Sequence, residues 1–327
     1  MKHPIIFSLI FCGLNALASQ QEIDVKEGSH LLISCEEATV TLVGGPQAKL
    51  KIVLDPVGES LVEFASSNDG NSDYFQIRDK ASRPKMKQTG KHDDSKNHVR
   101  IEISGRSLPA EIHLREGQVT LQKWQKEVYA HVQKGKIIAK ENSNSLVLHM
   151  QKGEIAVTDH QGKLLIDSLQ ASAMIKELKG DLEAQSFMGD LTLEKFSGSG
   201  AINANQGSVK VVGGSGSLQF ELQKANLQST QFDGRVEGQS QEGSVAIQAG
   251  KDPDVNIKSQ TGKVSVSTTA NSGALLNLSS AEGDVIVPAY LKVSRDGSVR
   301  SLRGRLKGES QKGSIFVRSQ EGVITVR

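Results

Sequence analysis

His113, His131 and His149 stand 18 residues apart, and Asp167 falls on the same spacing. Imidazole nitrogens and a carboxylate are ligands that zinc accepts, so a fold that stacked these four positions would create a candidate metal site. The same residues also suit a plain polar stack on a solvent face, with no ion. Such a face gains positive charge as histidines protonate below about pH 6.5. Each histidine lies between apolar residues: Ile112 and Leu114, Ala130 and Val132, Leu148 and Met150. Side chains alternate across a strand, so if those neighbours face inward the histidines face outward.

A second group is basic. From Arg295 to Arg327 there are eight Lys or Arg against three acidic residues. Arg295, Arg300, Arg303, Arg305 and Lys307 are the binding candidates, for an acidic glycan or an anionic membrane surface. A structural alternative is that these cations guard an exposed terminal sheet edge, following Val323–Val326, against pairing with another chain. Catalytic chemistry is harder to find. Glycan cleavage needs two convergent carboxylates, and no such pair and no Ser/His/Asp set stands out, so the sequence points away from an enzyme. Calcium would need acidic residues in step through the turns, yet Gly-Asp occurs only at Gly180, Gly189 and Gly283.

What positions these residues is a glycine beat. Gly117, Gly135, Gly153, Gly162, Gly180, Gly189, Gly198, Gly207, Gly216, Gly234 and Gly243 all fall on multiples of nine residues from one another. The second and fourth residues after many of them are aliphatic, as in Val119 and Leu121, Leu191 and Leu193, or Val245 and Ile247. A fixed period of one short strand plus one turn is the signature of a stacked repeat. Glycine supplies the turn, because its backbone takes positive φ without a side-chain clash. Trp124, Leu169, Leu178, Phe187, Phe196 and Phe232, each seven after the beat, are expected at inner corners. The repeat spacing allows either a right-handed β-solenoid of about 18 residues per coil or a meander of hairpins; the 18-residue histidine spacing favours the solenoid.

Before the array, His30–Cys35, Thr39–Val43, Leu50–Leu54, Leu61–Phe64 and Tyr74–Ile77 read as short strands separated by turn signals. The expected organisation is a signal peptide over 1–18, an N-terminal β region over 19–107, and the repeat domain over 108–327. Residues 79–98, with six Lys or Arg, are expected to form a mobile basic loop. The charged start, apolar middle and Ala16-Leu17-Ala18 predict export, to the periplasm or cell surface. The bulky Phe11 before Cys12 argues against lipid attachment, and no later stretch is apolar enough for a transmembrane segment. With Cys35 as its single cysteine, the mature chain can form no intramolecular disulfide. A formal net charge of +2 argues against a nucleic-acid binder.

Leu108-Pro109 ahead of the array, together with Gly180-Asp181-Leu182, Gly189-Asp190-Leu191, Gly207-Ser208-Val209, Gly243-Ser244-Val245 and Gly283-Asp284-Val285, resembles the bacterial putative-adhesin domain family. The resemblance implies an exported β-solenoid and suggests adhesion; the function expected is non-enzymatic binding or scaffolding, with a partner among envelope or surface proteins or glycans and no cofactor other than zinc at the histidine face. It brings no catalytic residues. The alternative function is a metal-binding or carbohydrate-active protein built on the histidine face.

Overall fold

The computed structural model describes residues 6–7, 19–55, 61–68, 73–80, 98–250, 252–269, 272–308 and 310–327. The architecture is all-β. The chain divides into two compact units, residues 1–162 and 163–327. The leader read over 1–18 lies, apart from residues 6 and 7, outside the described residues, and so does the basic loop from 81 to 97.

In the first unit, Ala110–Gln122, Val128–Lys140 and Leu146–Gln161 lie side by side in parallel, each residue opposite the one 18 positions later. Each strand changes phase at its glycine. In Ala110–Gln122, residues 110, 112 and 114 are buried; past Gly117 the buried set becomes 119 and 121. Two arms of one strand therefore feed the same core. Gly117 and Gly135 make that phase change, both with φ of 146°. A β-carbon on Gly135 would come to 1.8 Å from the carbonyl oxygen of Gly117. Glycine recurs here because two backbones meet where a side chain would begin. The aliphatic pairs after the beat, such as Val119 and Leu121, are fully buried, each worth roughly 1.5–3 kcal/mol.

A second bend carries no glycine. Lys123, Glu141 and Asp159 take φ of 52°, 54° and 51°, the left-handed region that side chains usually avoid. Immediately after them come Trp124, Asn142 and His160, all buried. Trp124 fills the inner corner as expected, and its indole N–H donates to Leu108 O at 2.8 Å. Two polar residues follow it where apolar ones would serve. They are tolerated because each is paired: Asn142 Nδ2 donates to Leu121 O at 3.1 Å, and His160 Nδ1 lies 3.0 Å from Asn142 O.

The parallel pairing begins before residue 108. Strand His30–Gly44 pairs in parallel with Ala110–Gln122, with Ala38 opposite Gly117. Beyond its first arm lie Asp73–Asp79, in parallel, and then Val62–Asn68, antiparallel. Beyond its second arm lie Val99–Gly105, in parallel, then Lys49–Leu54 and Ser19–Asp24, antiparallel. Antiparallel strands thus close this end.

In the second unit, Leu164–Met188, Leu191–Gln206, Ser208–Leu222 and Asn226–Ser240 keep the same parallel offset of 18. Of the expected corner residues, Leu178, Phe196 and Phe232 are buried, but Leu169 and Phe187 are 49% and 47% exposed. That corrects the sequence reading. Positions seven after the beat alternate between inside and outside, so two successive nine-residue units are not equivalent.

The expectation of a terminal edge is also corrected. Segment Ser310–Ser319 lies between Asp254–Ser259 and Ser272–Ser280, in parallel with both. Ile324–Val326 likewise lies between Val264–Thr268 and Val285–Ile286. The last strands are interior ones. Ser272–Ser280 is flanked on its other side by the antiparallel hairpin of Ser294–Asp296 and Val299–Arg305. Its outermost strand is three residues long, with Arg295 and Asp296 exposed, the short charged edge that resists pairing with other chains. Four turns here share a Ser-x-x-Gly signature at Ser240, Ser259, Ser280 and Ser319. Ser240 and Ser259 donate to the glycine carbonyl three residues on, and Ser280 and Ser319 accept from the glycine N–H.

Candidate functional site

Alternation that buries Leu31, Ile33, Ile112 and Leu114 turns their neighbours outward, and parallel register aligns those neighbours into rows. One row runs Gln76, Leu32, Glu111, Tyr129, Val147 across five strands of the first unit. The next runs Arg78, Ser34, His113, His131, His149. On the other side, Tyr74 lies opposite His30, their rings stacked at 5.5 Å with planes 11° apart.

The first row and the His30–Tyr74 pair line a groove of about 690 Å³, with Leu32, Glu111, Glu127, Tyr129 and Val147 among its residues. Its lining mixes aromatic and aliphatic residues with Gln76, Arg78, Glu111, Glu127 and three serines. Glu111 Oε1 is held by His113 Nε2 at 2.6 Å. Arg78 is bound to Glu63. Tyr74 is 44% exposed, so an aromatic face is presented to solvent. An open aromatic shelf beside carboxylates and a guanidinium suits a ligand with both apolar faces and hydroxyl groups.

The histidine row is brought together as the spacing required. Ring centroids of His113 and His131 are 6.1 Å apart, and those of His131 and His149 6.3 Å. Tyr129 leans on both ends of it, 5.6 Å from His113 and 5.2 Å from His149. The rings stand in file rather than converging. Among the described residues, no group of three or more His, Cys, Asp or Glu is placed to hold a metal ion. Asp167 lies on strand Leu164–Met188 of the second unit, exposed.

The arginine group is split. Arg303 and Arg305 are exposed on one face of Val299–Arg305. Arg300, an odd number of residues from both and so on the other face, donates to Gly297 O at 2.9 Å, and Arg295 is its cross-strand partner. Lys307 lies over the Tyr290 ring at 4.9 Å. Two carboxylates of the groove, Glu111 and Glu127, escaped the sequence reading because they come from different repeats with no shared motif. Tyr129 was readable, since it stands two residues before His131 and so on the same face.

No family model and no curated protein matches this sequence. Three solved structures align along nearly the whole chain. A putative cell adhesion protein from Clostridium sporogenes is 11% identical, with 95% of this chain and 99% of that one covered and a TM-score of 0.21. A putative adhesin from Parabacteroides merdae is 8% identical, with 96% and 97% covered and a TM-score of 0.37. Another from Bacteroides fragilis is 12% identical, with 96% and 98% covered and a TM-score of 0.29. At those TM-scores the likeness carries no argument about this chain. Among the described residues no helix is long and apolar enough to cross a membrane.

Proposed function

We propose that this chain is a non-enzymatic, exported binding protein of the adhesin type, a right-handed β-solenoid of about 18 residues per coil. The parallel 18-residue register within each unit supports that geometry. The ligand site is the outward groove of the first unit, and its ligand is a surface or envelope glycan. One observation carries this reading: Tyr74, stacked on His30 and 44% exposed, faces a groove that also holds Tyr129, Glu111 and Glu127. Sugar rings present C–H faces to aromatic side chains and hydroxyls to carboxylates, and this groove offers both.

A panel of cell-envelope and host polysaccharides tests the proposal by binding of the full chain. Tyr74→Ala and Tyr129→Ala are expected to weaken binding about tenfold or more, at roughly 1.5–3 kcal/mol of lost aromatic contact each. No affinity for any glycan, or affinity untouched by both variants, removes the groove from the argument. Release of reducing ends that vanished in Glu127→Gln would instead make the groove catalytic.

A further inference from the structure

Among the described residues, five of the nine exposed large apolar side chains, namely Leu275, Ile286, Tyr290, Val299 and Phe316, lie between residues 275 and 316. Three of these share one sheet face with cations. Paired residues of neighbouring strands point to the same side. Leu275 is opposite Arg305, and Asn277 is opposite both Arg303 and Phe316. Ser279 is opposite Arg318, which in turn is opposite Lys258. Val299 lies on the same side of its strand as Arg303 and Arg305, two and three steps of alternation away. The face therefore interleaves Arg303, Arg305, Arg318 and Lys258 with Leu275, Phe316 and Val299, which are 45%, 37% and 41% exposed. Its acidic members are Asp254, which accepts the Ser314 hydroxyl at 3.1 Å, and Asp296 at the hairpin tip.

We propose that this face docks on an anionic phospholipid surface, its arginines meeting headgroup phosphates and Phe316 and Leu275 entering the interface beneath them. Charge complementarity selects an anionic partner, because guanidinium groups bind phosphate oxygens in pairs. The apolar residues choose between anionic partners. An acidic glycan in water offers nothing to a leucine or a valine, whereas the headgroup boundary of a bilayer accepts apolar side chains and cations side by side. This surface belongs to the second unit and stands independently of the groove.

The test is cosedimentation of the full chain with vesicles of phosphatidylcholine alone and of phosphatidylcholine mixed equally with phosphatidylglycerol. Binding is expected only to the mixed vesicles, and it falls as salt screens the headgroups. Arg303→Gln with Arg305→Gln lowers the partition about 25-fold, near fivefold per cation, while Arg303→Lys with Arg305→Lys keeps most of it. Phe316→Ser lowers it about tenfold. Tyr129→Ala leaves it unchanged, which separates this surface from the glycan groove. Equal partition onto neutral vesicles, or none onto anionic ones, overturns the proposal. So does tighter binding to an acidic polysaccharide such as alginate with Phe316→Ser silent, which would assign the face to glycans. Unchanged thermal unfolding of the variants, whose residues are exposed, shows that any loss is not misfolding.

Discussion

The side-chain oxygen of Asn142 accepts the backbone N–H of Trp124 at 2.8 Å, inside the core. The same amide donates from Nδ2 to Leu121 O. One side chain thus satisfies two buried backbone groups at the bend where Lys123 takes positive φ. Asn142→Ala leaves both unpaired, and each costs about 1–3 kcal/mol. We expect the first unit to lose about 2–4 kcal/mol, read as a lower urea midpoint. Asn142→Leu, although more apolar, loses nearly as much. A leucine variant as stable as the parent would refute the account.

Glycine is required at one kind of bend and dispensable at the other. Gly135→Ala forces a β-carbon against a backbone oxygen at 1.8 Å, with no flexible atom to yield. The expected result is a loss above about 4 kcal/mol, or no folded protein. Gly213, at φ 68°, has nothing within 4 Å of a built β-carbon. Lys195 and Gln231, 18 residues to either side, already hold φ of 54° and 55°. Gly213→Asn should therefore change stability by no more than about 1 kcal/mol, checked by the same unfolding curves.

Glu177 and Lys195 are one strand apart and joined at 2.6 Å. The hydrogen bond from Lys195 holds the Glu177 carboxyl below its ordinary 4.5, and the bond to Glu177 lifts the Lys195 ammonium above 10.5. The glutamate's contribution is present above 4.5 and fades as pH falls through its depressed value; the lysine's is present below 10.5 and fades as pH rises through its raised one. Glu177→Gln should lower the melting temperature slightly and evenly between about pH 5 and 10, and converge with the parent in acid. Both groups are exposed, so the gap is small and shrinks in salt. A gap that widened in acid would contradict the sign.

Ending the chain at Gly308 removes the strands that lie between 254–268 and 272–286. Residues 272–286 then lose their parallel neighbours, leaving the hairpin 294–305 attached only to 272–280, while Leu191–Ser240 keep theirs. Limited proteolysis should cut the former segment rapidly and spare the latter. Equal protection of both would show that the interposed strands are not what hold 272–305 in place.

Much of the fold could be read from spacing, because the glycine bend leaves a chemical trace: a residue with no β-carbon every 18 positions. Inward pairs such as Val119 and Leu121 followed directly. The second bend left no trace, since Lys123, Glu141 and Asp159 have nothing in common but backbone conformation. The exposure of Phe187 was hidden for a similar reason: composition cannot say which of two half-registers faces in. The groove depends on Tyr74 coming beside His30, a pairing 44 residues apart that no local pattern encodes. The interposed terminal strands were hidden because a repeat predicts what can stack, not in which order it does. The Ser-x-x-Gly turns and the place of Tyr129 were plainly written and passed over.

That order has a consequence during synthesis. In the second unit a stacked array can condense as the chain emerges, each new strand settling on earlier ones, and residues 191–268 can do so. Strand 272–280 cannot, because its berth on 254–259 belongs to a segment still unmade. It must wait, paired on one side only with strand 299–305, until residues 310–326 arrive and slot in between. A message cut short anywhere in that interval yields a protein with a raw sheet flank, which a protease can recognise at once.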